Sequence, residues 1–229
     1  MHPYTNAMTT LFHAHADSAA AEPMAAYMRN QFSFLGIKTP LRRQLLKGLI
    51  AEQGLPELED LPSITLDLWA LPEREYQYAA LGLLGRFEKK LPPEFIDTIE
   101  ILLTTKSWWD TVDSLAGSTV GIHFQRFPAV QDARLAQWRG SSDDFWLRRT
   151  CILFQLGYKS ETDFDLLKDI IRENLGSKEF FIKKAIGWAL RQYTRVDPDG
   201  VRAFVAATPL APLSAREALK WLNHQEKKA

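Results

Sequence analysis

Two residues of the segment KSWWDTVDSLA, residues 106–116, are placed to carry chemistry. Trp109 and Asp113 are four positions apart, so an α-helix would put the indole and the carboxylate on one face, one turn apart. A carboxylate beside a large aromatic ring is costly to bury unless it has a partner, and a cationic ligand could be that partner. The alternative is that the tryptophans belong to the core and Asp113 is a solvated acid, because aromatic stripes on helices are usually core.

A second stripe combines basic side chains with an aromatic one. Lys184, Trp188, Arg191 and Arg195 follow one another at the helical spacing i, i+4, i+7 and i+11 and would share a helix face. A core stripe would be apolar, whereas bases interleaved with an aromatic ring suit a nucleic-acid backbone with one stacked group. The stripe as a whole therefore predicts nucleic-acid contacts, although a solvated helix face explains each base better when it is taken alone.

Further bases occur near the ends of other predicted helices. Arg148 and Arg149 carry forked donors that suit phosphate oxygens. Thr39-Pro40 is typical of a helix start, with a hydroxyl N-cap followed by proline, and the free N–H groups of a helix N-terminus can bind phosphate. The bases that follow this start are Arg42, Arg43 and Lys47.

The charge of the chain is balanced overall but unevenly distributed. The 229 residues carry 28 bases and 28 acids, so the formal net charge is zero. Residues 52–75 nevertheless hold seven acids and one base, and residues 177–196 hold five bases and one acid. A neutral protein can therefore still present a basic face to nucleic acid.

Several classes of protein and site are disfavoured by composition. The apolar content of 46% indicates a globular chain. A single cysteine, Cys151, excludes an internal disulfide and a cysteine-based metal cluster, and its neighbours predict a buried structural thiol. The histidines are scattered, so no metal site is expected. We find neither a signal-peptide pattern nor a membrane-length apolar run, and we expect a cytoplasmic protein without a membrane partner.

The periodicity of apolar residues predicts an all-α fold. Alternation typical of strands and hairpin turns between apolar runs are not found. The predicted helices span residues 24–34, 41–51, 62–71, 72–89, 93–103, 106–116, 130–138, 142–156, 162–175, 177–193, 199–206 and 212–224. Tyr27 lies beside Met24 and Met28 in the first of these, and its position in the pattern predicts a core tyrosine.

A repeat of 35 residues underlies these helices. Ser107, Ser142 and Ser177 are 35 residues apart, and the same step reaches Pro72 and Pro212, all at predicted helix starts. A period of this length with two helices in each unit indicates an α-solenoid of stacked helical pairs. We expect one HEAT-like repeat domain over residues 1–229, curved, with a basic concave face on which equivalent helices converge.

Long segments of the chain resemble the AlkD family of alkylpurine DNA glycosylases, which are built of HEAT-like repeats. The resemblance covers nearly the whole chain. It is carried by AEPMAAYMRNQFSFLGI (21–37), LPEREYQYAAL (71–81), TKSWWDTVDS (105–114), WLRRTCILFQL (146–156), SKEFFIKKAIGWALRQY (177–193) and LAPLSAREA (210–218).

The resemblance implies hydrolysis of the N-glycosidic bond of positively charged N-alkylated purines, such as 7-methylguanine and 3-methyladenine, in duplex DNA. It implies no cofactor or bound nucleotide and no pocket for an extruded base. The implied roles are a catalytic carboxylate at Asp113, tryptophans flanking the lesion at Trp109 and Trp188, DNA contacts at Arg149, Arg191, Thr39 and Arg43, and a pocket tyrosine at Tyr27. Lys38 and Gly157 stand where the best-known members have Gln and Lys.

This chemistry is compatible with so few functional groups. A cationic purine leaves as a neutral base, and an ionised Asp113 would stabilise the positive charge that develops on the sugar.

The DNA-binding prediction from the residues themselves also includes Arg148 and Lys184. Two alternatives are a non-catalytic solenoid that binds DNA through the same face and a protein–protein adaptor. Asp113 favours the enzyme, because a backbone-binding scaffold gains nothing from an anion there. A monomer is expected.

Overall fold

The computed structural model describes residues 1–142 and 144–226, and these residues form α-helices and no strand. This confirms the all-α prediction, and the succession of packed helices is that of an α-solenoid of helical repeats. The curvature and the basic concave face stay predictions. The chain divides into two compact units, Met1–Leu102 and Leu103–Ala229, and one domain over residues 1–229 also stays a prediction.

The first unit begins with a helix that the periodicity did not reveal. Its helices are α1 (Pro3–His13), α2 (Ser18–Tyr27), α3 (Thr39–Gln53), α4 (Leu61–Ala70), α5 (Arg74–Phe87) and α6 (Phe95–Thr104), which crosses the division. Pro3 starts α1, because a proline at the first helical position gives up no hydrogen bond. Tyr4, Met8 and Phe12 recur every four residues and are buried. In the interior of this unit, α1 packs against α3 and α4, and α5 against α3 and α4.

The segment between α2 and α3 is held by a buried carboxylate. The backbone N–H groups of Leu35, Gly36 and Ile37 donate to the Glu75 carboxylate over 2.9–3.0 Å, and Glu75 is fully buried. Gly36 has φ +90°, and a Cβ there would lie 1.9 Å from the carbonyl oxygen of Asp17. This loop therefore fixes where α3 begins.

Three predictions about the first unit need correction. The helix predicted over residues 24–34 ends at Tyr27, since Arg29 and Asn30 adopt the left-handed conformation with φ 55°. Tyr27 is 72% exposed, so the core position predicted from its pattern is wrong. Thr39 is the first residue of α3 and Lys38 is its N-cap, without a side-chain capping bond.

The second unit contains the helices that the repeat predicted. They are α7 (Trp109–Ser114), α8 (Gly121–Arg126), α9 (Pro128–Trp138), α10 (Phe145–Leu153), α11 (Phe164–Glu173), α12 (Phe180–Tyr193), α13 (Pro198–Ala207) and α14 (Pro212–Glu226). A π-helical segment, Leu115–Val120, joins α7 to α8, so the chain stays helical beyond the end predicted at residue 116. The helix α10 packs against α7 and α12, and α12 packs against α14.

The predicted period matches the helix starts to within three residues. The helices α5, α7, α10, α12 and α14 begin at residues 74, 109, 145, 180 and 212, against predictions of 72, 107, 142, 177 and 212. The serines are not N-caps: the Ser107 hydroxyl donates to the Leu103 carbonyl oxygen at 2.6 Å. The N-cap of α10 is Asp144, whose carboxylate accepts from the Trp146 N–H at 2.8 Å.

Three further observations concern the described residues only. Cys151 is buried, as predicted, and burial raises the pKa of its thiol to about 12. Within residues 1–142 and 144–226, no helix combines the length and apolar character needed to cross a membrane. Over the same ranges, no group of three or more His, Cys, Asp and Glu side chains could hold a metal ion.

Candidate active site

Four helices of the second unit surround a cavity that holds most of the predicted site residues of this unit. The cavity has a volume of about 260 Å³. The helices α7, α10, α12 and α14 each contribute to its wall. The lining residues are Trp109, Asp113, Arg149, Phe180, Phe181, Lys184, Trp188, Arg191 and Glu217. The two segments singled out from the sequence, residues 106–116 and the stripe on α12, therefore face one space.

Asp113 is paired with Arg149 across α7 and α10. The Arg149 Nε donates to Asp113 Oδ1 at 2.7 Å and Nη2 donates to Oδ2 at 2.8 Å, which is the bidentate geometry that an arginine fork favours. The Asp113 side chain is 16% exposed and that of Arg149 only 4%. The interpretation of Asp113 as a solvated surface acid is therefore wrong.

A third bond fixes the guanidinium from the side of α12. The Arg149 Nη1 donates to the carbonyl oxygen of Phe181, and the guanidinium lies 5.8 Å from the centre of the Phe181 ring. Of the five N–H donors of arginine, three are thus engaged within the protein. A phosphate contact by Arg149 stays a prediction, and it would have to use the two remaining N–H groups.

Burial governs the proton affinity of Asp113. Desolvation raises the pKa of this carboxyl above its usual range, against the hydrogen bonds and the positive charge of Arg149, and the negative charge of Asp110 adds to the increase. The low exposure of the pair is the cause, since burial disfavours the charged form of a carboxyl. Asp113 therefore takes up a proton at a higher pH than an exposed aspartate.

The adjacent tryptophans at the start of α7, Trp108 at its N-cap and Trp109 at its first position, have different surroundings. Trp109 and Trp188 are half-buried and line the cavity. Trp108 instead packs in an aromatic cluster, with its ring centre 5.1 Å from that of Phe181 and 6.0 Å from that of Trp146. Trp108 is half-buried as well, but its ring packs among aromatic side chains, whereas Trp109 and Trp188 face the cavity that Asp113 also lines.

Glu217 of α14 holds the two bases of the α12 stripe. Its Oε1 lies 3.1 Å from Lys184 Nζ and its Oε2 accepts from Arg191 Nη1 at 2.6 Å. Burial raises the pKa of Glu217, but the hydrogen bonds and charges of Lys184 and Arg191 outweigh it, and the pKa lies below its ordinary value. Glu217 is therefore ionised in the folded protein near neutral pH.

A glycine lets α14 approach α12 closely enough for this arrangement. A Cβ on Gly187 would lie 2.5 Å from the Glu217 Cβ and 2.8 Å from the Ser214 carbonyl oxygen. The Ser214 hydroxyl also donates to the Lys183 carbonyl oxygen at 2.8 Å, which ties the two helices together. The position of Glu217 thus depends on the absence of a side chain at Gly187.

We expect Gly187→Ala to lower the free energy of unfolding by about 1–3 kcal/mol, because the added methyl overpacks a backbone contact. Urea unfolding followed by circular dichroism measures this. Gly85→Ala is the matched control: Gly85 lies in α5, a Cβ there meets nothing within 4 Å, and alanine should add about 1 kcal/mol through helix propensity. Equal stability of the two variants would contradict the packing described for α12 and α14.

Not every predicted residue contributes to the cavity. Arg148 is half-buried on α10, and it is absent from the residues that line this cavity. Arg195 lines a different depression, together with Lys159 and Tyr193, so the predicted stripe divides after Arg191. Tyr27, Thr39 and Arg43 belong to the first unit, where all three are exposed. DNA contacts by Arg148, Tyr27, Thr39 and Arg43 stay predictions.

Sequence patterns did not identify Phe181 or Glu217 as site residues. The contribution of Phe181 is largely a backbone carbonyl oxygen, which no side-chain pattern reveals. Glu217 is an acid within LAPLSAREA, one of the segments of family resemblance, and this placement was its only signal. Both residues reach the cavity through the packing of helices that are distant in the chain.

Two comparisons with known proteins extend over nearly the whole chain. The model of the DNA alkylation repair enzyme family matches residues 8–222. Among solved structures, a predicted DNA alkylation repair enzyme from Enterococcus faecalis is similar, with 34% sequence identity and a TM-score of 0.83, over 90% of this chain and 96% of that chain. No match was found among curated proteins.

Proposed function

Since the chain belongs to the DNA alkylation repair enzyme family, we propose that it is a DNA glycosylase. Its substrates would be cationic N-alkylated purines in duplex DNA, such as 7-methylguanine and 3-methyladenine. The observation that carries the proposal is the mostly buried carboxylate of Asp113 in a cavity with Trp109 and Trp188. An anion beside aromatic faces suits a bound cation, whereas it would repel a DNA phosphate.

The reaction proposed is hydrolysis of the N-glycosidic bond. The bond electrons go to the purine, which leaves as a neutral base because it already carries a positive charge. Positive charge develops on the deoxyribose, water attacks the sugar carbon, and the water proton is released to solvent. The products are the free base and an abasic site. No strong general acid is needed, so the small set of groups in the cavity suffices.

Asp113 would act on the charge that develops on the sugar. A preorganised carboxylate that is only 16% exposed stabilises such a cation better than a carboxylate in bulk water would. The bidentate bond from Arg149 fixes its orientation, and each carboxylate oxygen keeps a further lone pair for the sugar cation or for an attacking water. Orientation of that water by Asp113 is part of the proposal.

The two tryptophans would add selectivity for charge. Their ring faces attract a cation by about 0.5–2 kcal/mol each. A normal purine is neutral and gains neither this attraction nor the full effect of Asp113, so unmodified DNA would be left intact. The proposed mode of action needs no deep pocket for an extruded base.

Positively charged side chains would hold the DNA. Lys184 and Arg191 lie at the cavity wall and could bind phosphates beside the lesion. We place the other DNA contacts at Arg148 and, with Tyr27, at the start of α3, where Thr39 and Arg43 are exposed. Such contacts position the duplex but do not select a sequence.

The proposed role of Asp113 predicts an acid limb in the pH profile. The carboxylate is the active form, so the enzyme-dependent release rate should fall as pH drops through the pKa of Asp113. Because burial raises this pKa, the fall should lie above the value of an exposed aspartate, about 3.9. Single-turnover rates corrected for spontaneous depurination measure it. A profile that is flat down to the pKa of an exposed aspartate would contradict the assignment.

The proposal is tested by incubating the protein with methylated duplex DNA and quantifying released bases by chromatography. We expect 7-methylguanine and 3-methyladenine in excess over the protein-free rate and no release of adenine or guanine. Salt-sensitive binding of the duplex without release would replace the proposal with a non-catalytic DNA-binding solenoid. Absence of binding even at low salt would favour a protein–protein adaptor.

A further inference from the structure

The cavity contains a second carboxylate whose place in the proposed reaction has not been assigned. Glu217 is 14% exposed at its side chain, and both of its oxygens face cations, Lys184 at 3.1 Å and Arg191 at 2.6 Å. The Lys184 and Arg191 side chains are themselves only partly exposed, at 38% and 30%. Glu217 is thus the inner member of a three-charge group in the cavity wall.

This three-charge group is built into the packing of α12 and α14. Gly187 leaves room for the Glu217 Cβ, and the bond from Ser214 to the Lys183 carbonyl fixes the helices in register. Lys184 and Arg191 are seven residues apart on α12, two helical turns, and Glu217 bridges them. A carboxylate in this position restrains both long side chains at once.

Glu217 lowers the net positive charge of the residues that line the cavity. Asp113 and Arg149 cancel one another. Lys184 and Arg191 together carry two positive charges, and Glu217 reduces their sum to one. A cationic purine or sugar cation would meet a second uncompensated positive charge if Glu217 were absent. Such like-charge contacts are unfavourable in a site of low dielectric constant.

On this basis we infer that Glu217 is a specificity-determining residue of the proposed glycosylase, a role that rests on the proposed function. It restrains Lys184 and Arg191 and offsets their charge, so that the cavity accepts a cation while the same two bases still reach phosphate. Glu217 therefore lowers the affinity for DNA and stabilises the cationic transition state.

The substitution Glu217→Gln should move two measured quantities in opposite directions. The substitution frees Lys184 and Arg191 for phosphates, so undamaged duplex should bind more tightly. The affinity should also depend more steeply on salt: the slope of log K against log salt concentration should grow by about 0.9 for each added phosphate contact. The single-turnover rate of 7-methylguanine release at saturating protein should fall by about tenfold, because one added charge opposes the cation. A purely structural defect would instead weaken both binding and release.

Two further variants make the test specific. Glu173→Gln is the matched control, since Glu173 also pairs with an arginine, Arg139 at 2.5 Å, but does not line the cavity; its release rate and affinity should equal those of the wild type. The double substitution Glu217→Gln with Lys184→Gln restores the charge sum, and its release rate at saturation should recover toward the wild-type value.

The outcomes separate this inference from the proposed function. Unchanged or faster release by Glu217→Gln, with wild-type release intact, overturns the inference alone. Weaker DNA binding together with a lowered melting temperature also overturns it, because Glu217 is then only a packing residue. If neither the wild type nor Glu173→Gln releases 7-methylguanine, the proposed function fails and the inference fails with it.

Discussion

Replacing Asp113 by asparagine should nearly abolish base release while leaving DNA binding in place. We expect Asp113→Asn to lower the single-turnover rate of 7-methylguanine release by about 10²–10³-fold, the usual cost of removing one electrostatic contact to a transition state. The cause is loss of one of the two acids among the lining residues of the cavity, so that Glu217 alone then offsets the positive charges of Arg149, Lys184 and Arg191. Affinity for undamaged duplex should be unchanged or higher.

The stability of this variant has to be measured beside its activity. An asparagine amide cannot accept both Arg149 donors, so one N–H of Arg149 is left facing an NH₂ group, at an expected cost of about 1–3 kcal/mol. Rates are therefore compared at saturating protein and well below the melting temperature. Asp169→Asn is the control, because Asp169 pairs with Arg172 on an exposed surface. Release by Asp113→Asn at the rate of this control would remove Asp113 from the mechanism.

Replacing Arg149 by methionine should have the largest effect on stability. Truncating one partner of a buried ion pair leaves an uncompensated charge, and we expect Arg149→Met to lower the free energy of unfolding by about 3–5 kcal/mol. The Phe181 carbonyl loses its donor as well. In the remaining folded protein, Asp113 loses the positive charge that opposes its raised pKa, so the acid limb of activity should move to still higher pH.

Two further variants isolate the contribution of the Asp113–Arg149 ion pair to stability. The double substitution Arg149→Met with Asp113→Leu removes both charges and should recover much of the lost stability, because buried ion pairs are often replaceable by apolar side chains. Arg172→Met breaks an exposed pair and should change stability by less than about 1 kcal/mol. If Arg149→Met is as stable as Arg172→Met while DNA binding weakens, the main role of Arg149 is the phosphate contact.

The sequence was informative where local chemistry decides the structure. Prolines at helix starts placed α3, α4 and α14 to within a few residues, because proline fits the first turn at little cost. The 35-residue period located the helices whose side chains line the cavity. The pairings of Trp109 with Asp113 and of Lys184 with Trp188 were also read from spacing, since residues one turn apart share a face whatever the tertiary fold.

The remaining features depend on contacts between distant segments. Arg149 lies 36 residues from Asp113, and only the packing of α7 against α10 makes it the partner of that carboxylate rather than an exposed base. Glu217 is 26 residues from Arg191 and reaches it only because Gly187 admits α14. Tyr27 was misplaced because the helix ends there, in a left-handed turn that apolar periodicity does not encode.

We propose above all that Asp113, in a cavity that Trp109 and Trp188 also line, selects purines by their positive charge. The most direct measurement compares two duplexes that differ at one position, one with 7-methylguanine, a cation, and one with hypoxanthine, a neutral purine, under single-turnover conditions with wild-type protein. We predict release above the spontaneous rate for 7-methylguanine only. Equal acceleration of both bases, or no acceleration of 7-methylguanine release, would contradict the account.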